Sequence, residues 1–364
     1  MLSAKKQQIQ TKEDVMKAPR DTRSILITAL ALGLACSLPS VVMARVGGQC
    51  SNCHTMHNSQ DSANMKAVSG SSWATPSGSL TLGGCVGCHT GTNASGDSGS
   101  GVIPYVLDTA DPSAKSLAGG NFFWVNQGET EAYHKLGHNV AGISDTDLNI
   151  GLAPPGFIDA LPANWNTQLQ CAGSWGCHGD RNIPEAFAAI SGAHHGDDTG
   201  AITGTNTYDS YRFLKGVLGT EDPDWQWDTT DVNIYKGKAR ADETDTTTTI
   251  SSLCGQCHGK FHNGVGNINT SADLTTAWLR HPTDYNFKSI GGEYGSYVEN
   301  AAVPVAHENL ADTSAEKIVM CLSCHKAHGT AYNDLLRWSY GTMDAHGGAG
   351  DIGCFACHTT KDNV

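Results

Sequence analysis

Two cysteines separated by two residues and followed at once by histidine put two sulfur nucleophiles and one nitrogen ligand on a single tight turn. The pattern stands at Cys50-Ser51-Asn52-Cys53-His54, Cys85 to His89, Cys254 to His258, Cys321 to His325 and Cys354 to His358. A stretched relative, Cys171-Ala172-Gly173-Ser174-Trp175-Gly176-Cys177-His178, makes a sixth. C-x-x-C-H is the attachment signature of c-type haem, in which both sulfurs form thioethers and the histidine binds iron. The expected cofactors are therefore six covalently attached c-type haems. The thioether residues would be Cys50, Cys53, Cys85, Cys88, Cys171, Cys177, Cys254, Cys257, Cys321, Cys324, Cys354 and Cys357.

Zinc knuckles, thiol redox sites and disulfides compete for the same cysteines. Zinc does not require histidine after every second cysteine, and a redox enzyme needs one such pair, not six. Cysteines this close in sequence rarely suit a disulfide. The chain has 13 cysteines. The one outside the motifs, Cys36, lies in the leader described below.

Haem iron has two axial positions. His54, His89, His178, His258, His325 and His358 supply one ligand each. Ten further histidines remain, since the chain has 16. From these, His57, His138, His194, His195, His262, His281, His307 and His328 stand in rigid or apolar settings and are the expected second ligands. His134 and His346 read as solvated or supporting residues. His57 and His328 lie too close to their own motif histidines to reach round the same porphyrin, so each is expected at a neighbouring haem. The stretched motif has no close second histidine, and His194 or His195 is its candidate. The supply suffices to close every iron. No lysine replaces a motif histidine, as happens in multihaem nitrite reductases. Both features favour electron transfer over catalysis.

Several elements must hold these groups. Hydrophobic residues make up 39% of 364, with 42 glycines. That is a lean core, which six large apolar porphyrins would fill. The expected fold class is a multihaem cytochrome c, mostly irregular with short α-helices, little β and a core built on stacked haems. Residues 1–44 read as a signal peptide, with six basic residues, an apolar run from Ser24 to Leu38 and Val42-Met43-Ala44 before the cut. The run is short for a membrane span. Lipidation at Cys36 is the alternative, though Gly33-Leu34-Ala35 fits a lipobox poorly. Export also suits the chemistry, since bacteria attach c-type haem outside the cytoplasm. Residues 45–220 form an N-terminal three-haem module, 221–250 a polar linker or loop, and 251–364 a C-terminal three-haem module.

Short helices are expected at Pro184 to Ser191 and Tyr208 to Leu218. Ser271 would cap another over Ala272 to Arg280, which Pro282 ends. Thr313 to Glu316 reads as a capping box for a helix running through Ile318, Val319 and Met320 into Cys321, and Ala331 to Trp338 as one more helix. Phe122-Phe123-Trp124-Val125 suits a strand or an aromatic wall. There is no phosphate-cradling glycine loop, nucleophile elbow or HExxH helix. A formal net charge of −13 argues against nucleic acid and anionic membrane as partners.

Taken together, the pieces resemble the hexahaem outer-surface cytochromes of metal-reducing bacteria that polymerise into conductive filaments. The matching stretches run nearly end to end. They include CSNCHTMHNSQ (Cys50 to Gln60), CVGCH, NFFWV, KLGHNV (Lys135 to Val140), YRFLKG, CGQCHGKFHN (Cys254 to Asn263), LRHP (Leu279 to Pro282), CLSCHKAH (Cys321 to His328) and CFACHTTKD. The third site departs, because that family has a regular motif there with a histidine soon after. Less chain also separates the last two sites. The resemblance implies a closely stacked bis-histidine haem chain through each subunit. It further implies that the histidine at position 57 reaches the haem attached at the fifth site of the next subunit, a contact that propagates a fibre. The expected function is a secreted electron conduit, with redox partner proteins and extracellular metal oxides or other acceptors beyond it. A monomeric periplasmic carrier and a multihaem oxyanion reductase are the alternatives.

Overall fold

The computed structural model describes residues 46, 48–57, 59–60, 63–64, 78–93, 103–113, 116–157, 165–196, 201–223, 225, 233–239, 248–262, 281–288, 290–345 and 352–361. All of them belong to one compact unit, Met43–Val364. The leader, the helix expected over Ala272 to Arg280 and His346 lie outside the described residues.

Regular structure is brief. The α-helices are single turns or little more: α1 (Cys85–Cys88), α2 (Glu131–His134), α3 (Ala186–Ala189), α4 (Ile250–Gly255), α5 (Gly259–His262) and α6 (Cys321–Cys324). Two of these, α1 and α6, are the cysteine motifs themselves. α3 falls within the helix expected at Pro184 to Ser191. Its first amides are held by the Glu185 carboxylate, which accepts from Phe187 and Ala188 N–H at 3.1 and 2.7 Å. Among the described residues no helix is long and apolar enough to cross a membrane.

Nine strands of two or three residues are described. β1 (Ser59–Gln60) pairs with β2 (Ala63–Asn64), and β3 (Thr90–Gly91) with β4 (Leu107–Asp108). The remaining sheet is larger. It takes β5 (Gly219–Thr220), β6 (Ile234–Lys236), β7 (Tyr285–Asn286), β8 (Ala306–His307) and β9 (Ile318–Val319) in the order β5-β6-β8-β9-β7. β6 and β8 run parallel, and the other neighbours run antiparallel. This sheet draws strands from both sides of the polar stretch 221–250.

Three helix expectations give way to other structure. Ile318 and Val319, β-branched and buried, pair with Ala306 and Tyr285 rather than entering a helix. The helix begins only at Cys321. In the span from Tyr208 to Leu218, Arg212 and Phe213 take left-handed backbone angles, which stop an α-helix after one 3₁₀ turn. Asp334 and Leu335 do the same between Ala331 and Trp338. Phe122 to Trp124 forms a turn leading into a 3₁₀ turn at Val125–Gln127, not a strand.

Apolar packing is divided among small clusters. Tyr211, Leu214, Val217, Tyr235, Ile250, Ala306, Ile318, Met320 and Leu322 form one around the five-stranded sheet. Phe287, Tyr297, Val303, Val305, Val319 and Ala356 form a second. Leu107, Phe122, Val125, Val140 and Ile143 form a third, against which Cys171 packs. Each cluster abuts a cysteine motif or the loop that carries a second histidine.

Candidate haem-binding sites

Every motif closes in the same way. The histidine N–H returns to the first cysteine's carbonyl: His54 to Cys50 at 2.8 Å, His89 to Cys85 at 3.0 Å, His258 to Cys254 at 2.9 Å, His325 to Cys321 at 3.1 Å and His358 to Cys354 at 3.0 Å. The stretched motif obeys the rule, with His178 N–H to Cys171 O at 3.0 Å. Its extra residues leave the turn as a loop. At Gly173, φ is +84° and a Cβ would lie 2.8 Å from the Pro184 carbonyl, so only glycine fits there. Thus five spacer residues present the cysteine pair and histidine much as two do elsewhere. None of the twelve motif cysteines is in a disulfide.

The motif rings are also fixed in tautomer. Nδ1 of His54, His89, His178, His258 and His325 lies 2.7–2.9 Å from the carbonyls of Ser79, Pro104, Arg212, Pro155 and Asp334. A carbonyl only accepts, so Nδ1 donates and Nε2 keeps its lone pair for a metal. His358 Nδ1 meets the Glu293 carboxylate at 3.3 Å instead. These anchoring groups are mostly backbone atoms, and no side-chain motif announces them.

The second histidines face the first across a constant gap. Ring centres of His54 and His195 are 6.1 Å apart, His89 and His194 6.3 Å, His178 and His328 6.3 Å, His258 and His138 6.1 Å, and His358 and His281 6.3 Å. Two metal–nitrogen bonds of about 2 Å, plus about 1.1 Å from each nitrogen to its ring centre, put two axial imidazoles roughly 6.2 Å apart. The residues present therefore fit one bis-histidine haem at each of five sites. Burial, the largest cause in each case, and neighbouring imidazoles pull the ring pKa to about 4 at His194 and His258 and to about 3 at His328. Neutral rings are what a metal needs.

His325, at the fifth site, differs. Among the described residues no second imidazole faces His325. His57 is exposed, beside Met56, which is 83% exposed.

Pairing departs from the sequence expectation in three places. His194 and His195 do not serve the stretched motif. They face the first two sites from one loop, and His328 faces His178. His262 and His307, expected among the ligands, are held by carboxylates. His262 Nε2 lies 2.7 Å from Asp284. His307 Nε2 lies 3.0 Å from Glu299 and its Nδ1 2.8 Å from the Glu316 carbonyl, with the ring wholly buried. Short spacing and apolar neighbours could not reveal these acidic partners.

One crossing positions two of the second histidines together. His328 N–H donates to Gly119 O at 2.7 Å, His138 N–H to His328 O at 3.2 Å, and His138 Nδ1 to Ala327 O at 2.6 Å, 189 residues away in sequence. Gly329 bridges both Gly120 and Gly137. A Cβ at Gly137 would lie 2.8 Å from His328 O, so the approach requires glycine.

The cysteines give the order of the sites. Cys53 is within electrostatic reach of Cys88, Cys177 of Cys257, and Cys324 of Cys354. Cys85 lies beside Cys171, and Cys254 beside Cys321, close enough for each thiol to shift its neighbour's titration. Each motif therefore adjoins the next, first to sixth.

Comparison with known proteins points to the same cofactor, covalently bound c-type haem. Over 383 aligned residues the chain is 25% identical to the C-type cytochrome OmcS of Geobacter sulfurreducens, covering 86% of this chain and 84% of that one. The chain is similar to a c-type cytochrome over most of its length. The family model for a doubled CXXCH motif matches residues 313–363, which contain the last two sites. Among solved structures, the outer membrane cytochrome S filament of Geobacter sulfurreducens matches at 19% identity and a TM-score of 0.38, over 82% of this chain and 85% of that one. The cryo-EM structure of OmcS nanowires from the same organism matches at 20% and 0.42, over 80% and 84%. Superposition at this level leaves the fold to be argued from the chain's own geometry.

Proposed function

We propose that this chain is a secreted hexahaem electron conduit that assembles end to end. Six c-type haems, held in sequence order by the cysteine pairs, would each take up and release one electron. The protein's task is to hold neighbouring irons close and to fill their axial positions. Two imidazoles per iron leave no coordination site for a substrate and hold the potential below the Met/His range. The protein then carries electrons and does not transform a bound molecule.

The observation that carries the proposal is the mismatch between His325 and His57. Five motif histidines are faced from within the chain. Among the described residues the fifth-site histidine is not, and an exposed histidine, His57, stands spare beside the first motif. If His57 of one molecule completes the fifth site of the next, every iron is closed and the contact is heterologous and open-ended, which generates a fibre. An extracellular filament delivering respiratory electrons to external acceptors follows from that assembly.

The lone His325 also favours a second reading, in which the chain stays monomeric and its fifth iron remains open to small ligands. His57→Ala separates the two. The variant should keep six haems by mass, elute as a monomer and bind carbon monoxide at one haem when reduced. The assembled parent should bind none. Fibres that persist unchanged in His57→Ala would sink the assembly, and carbon monoxide binding by the parent at full haem loading would favour a reductase.

A further inference from the structure

Glu131 and His134 lie three residues apart on the single turn of α2 and so share one face. Asp147 comes from the following loop. One ligand-capable atom of each lies within 4.8 Å of the other two, with His134 and Asp147 buried and Glu131 half-buried. The His134 ring is wholly buried. Its Nε2 is 3.2 Å from Glu129 Oε2, which is itself fixed by the Asp145 N–H at 2.8 Å. Nε2 therefore donates, and the lone pair sits on Nδ1.

That Nδ1 has no hydrogen-bond partner, and neither does the buried Oε2 of Glu131. Asp147 spends Oδ1 on the N–H groups of Asn149 and Ile150, at 2.8 Å each. Three acceptor-bearing groups thus converge with no donor among the described residues to satisfy Nδ1 or Oε2. Buried acceptors of this kind call for a proton or a cation.

The geometry points to a divalent-cation site formed by His134, Glu131 and Asp147, separate from the cysteine motifs. One imidazole and two carboxylates suit a borderline cation such as Zn²⁺, whereas Ca²⁺ and Mg²⁺ prefer oxygen donors throughout. Glu129 stands behind the imidazole as the carboxylate that orients a ligating histidine. The site also explains a location. Asn139 donates to the His134 carbonyl at 3.1 Å and accepts from Ser144 Oγ at 3.1 Å. A cation binding residues 131, 134 and 147 would pin both ends of the loop that presents His138 to His258.

The test uses the full haem-loaded chain, stripped with EDTA and then offered Zn²⁺. Calorimetry and elemental analysis after gel filtration should find one zinc per chain. Glu131→Gln and Asp147→Asn should each weaken binding at least about tenfold, with the haem absorption spectrum unchanged. Zinc-edge absorption of the parent should show one imidazole nitrogen among oxygen donors, which decides the matter even if a variant fails to fold. Three results would overturn the site: no zinc retained; equal binding in parent and variants; or a zinc shell without imidazole.

Discussion

Gly137→Ala tests whether the glycine crossing sets two of the proposed iron ligands at once. The added Cβ would lie 2.8 Å from the His328 carbonyl and 3.0 Å from Val125 Cβ, where ordinary contact begins at 3.4 Å. The carbonyl belongs to a backbone that also carries the His328 ring, and the next residue after the substitution is His138. Neither neighbour can rotate away. Overpacking of this kind costs about 1–3 kcal/mol. Every ~1.4 kcal/mol is tenfold in an equilibrium, so the ratio of closed to open iron at the third and fourth sites should fall about 5- to 140-fold. The assay is carbon monoxide difference spectroscopy of the reduced protein, with thermal unfolding followed at the haem band. Binding should rise above the parent's level by up to two haems per chain. Gly142→Ala is the control. Gly142 has φ +85° with open space around it, so alanine there costs about 1–2 kcal/mol of backbone strain without pushing on a ligand. The reasoning fails if Gly137→Ala is as inert to carbon monoxide and as stable as the parent, or if Gly142→Ala opens the same irons.

Two further outcomes follow from the site geometry. His307→Ala removes a buried ring that holds Glu299 and the Glu316 carbonyl, so stability should drop by about 1–3 kcal/mol while the low-spin haem spectrum stays that of the parent; a new high-spin signal would return His307 to the ligands. Replacing both Cys171 and Cys177 by serine should lower the covalently bound haem count by one in intact-mass analysis, and an unchanged mass count would show that the stretched motif attaches nothing.

What could be read from the sequence follows the range of the interactions. The cysteine motifs are local, so their chemistry was legible, and even the stretched motif closes on the same His-to-Cys hydrogen bond. The identity of most facing histidines was legible too, because a histidine beside glycine or proline in a lean chain has few other uses. Their pairing was not. His54 meets His195 and His178 meets His328 across long stretches of chain, and no spacing rule reports such meetings. His262 and His307 misled for the same reason: Asp284 and Glu299 come close only in the fold. The short helices at Tyr208 to Leu218 and Ala331 to Trp338 were overread. Arg212 and Asp334 adopt left-handed angles that the sequence does not mark. His134 was set aside as a supporting residue, although Glu131-x-x-His134 on a helical turn was a visible hint.

The cross-stitching of the halves has a consequence in time. A chain made from its N-terminus presents Cys50, Cys53 and His54 early, yet the imidazole facing His54 belongs to residue 195. His178 waits longer, for His328, while His138 emerges well before the His258 that it faces. On the proposed ligation, thioether bonds can form one by one as the motifs appear, but the axial pairs of the third and fourth sites close only when both halves are present. Maturation would thus pass through a chain studded with half-ligated irons, and its final collapse would be late and dominated by distant contacts, the slow kind. A truncation just before residue 328 should then leave the third site open, however well the first two have matured.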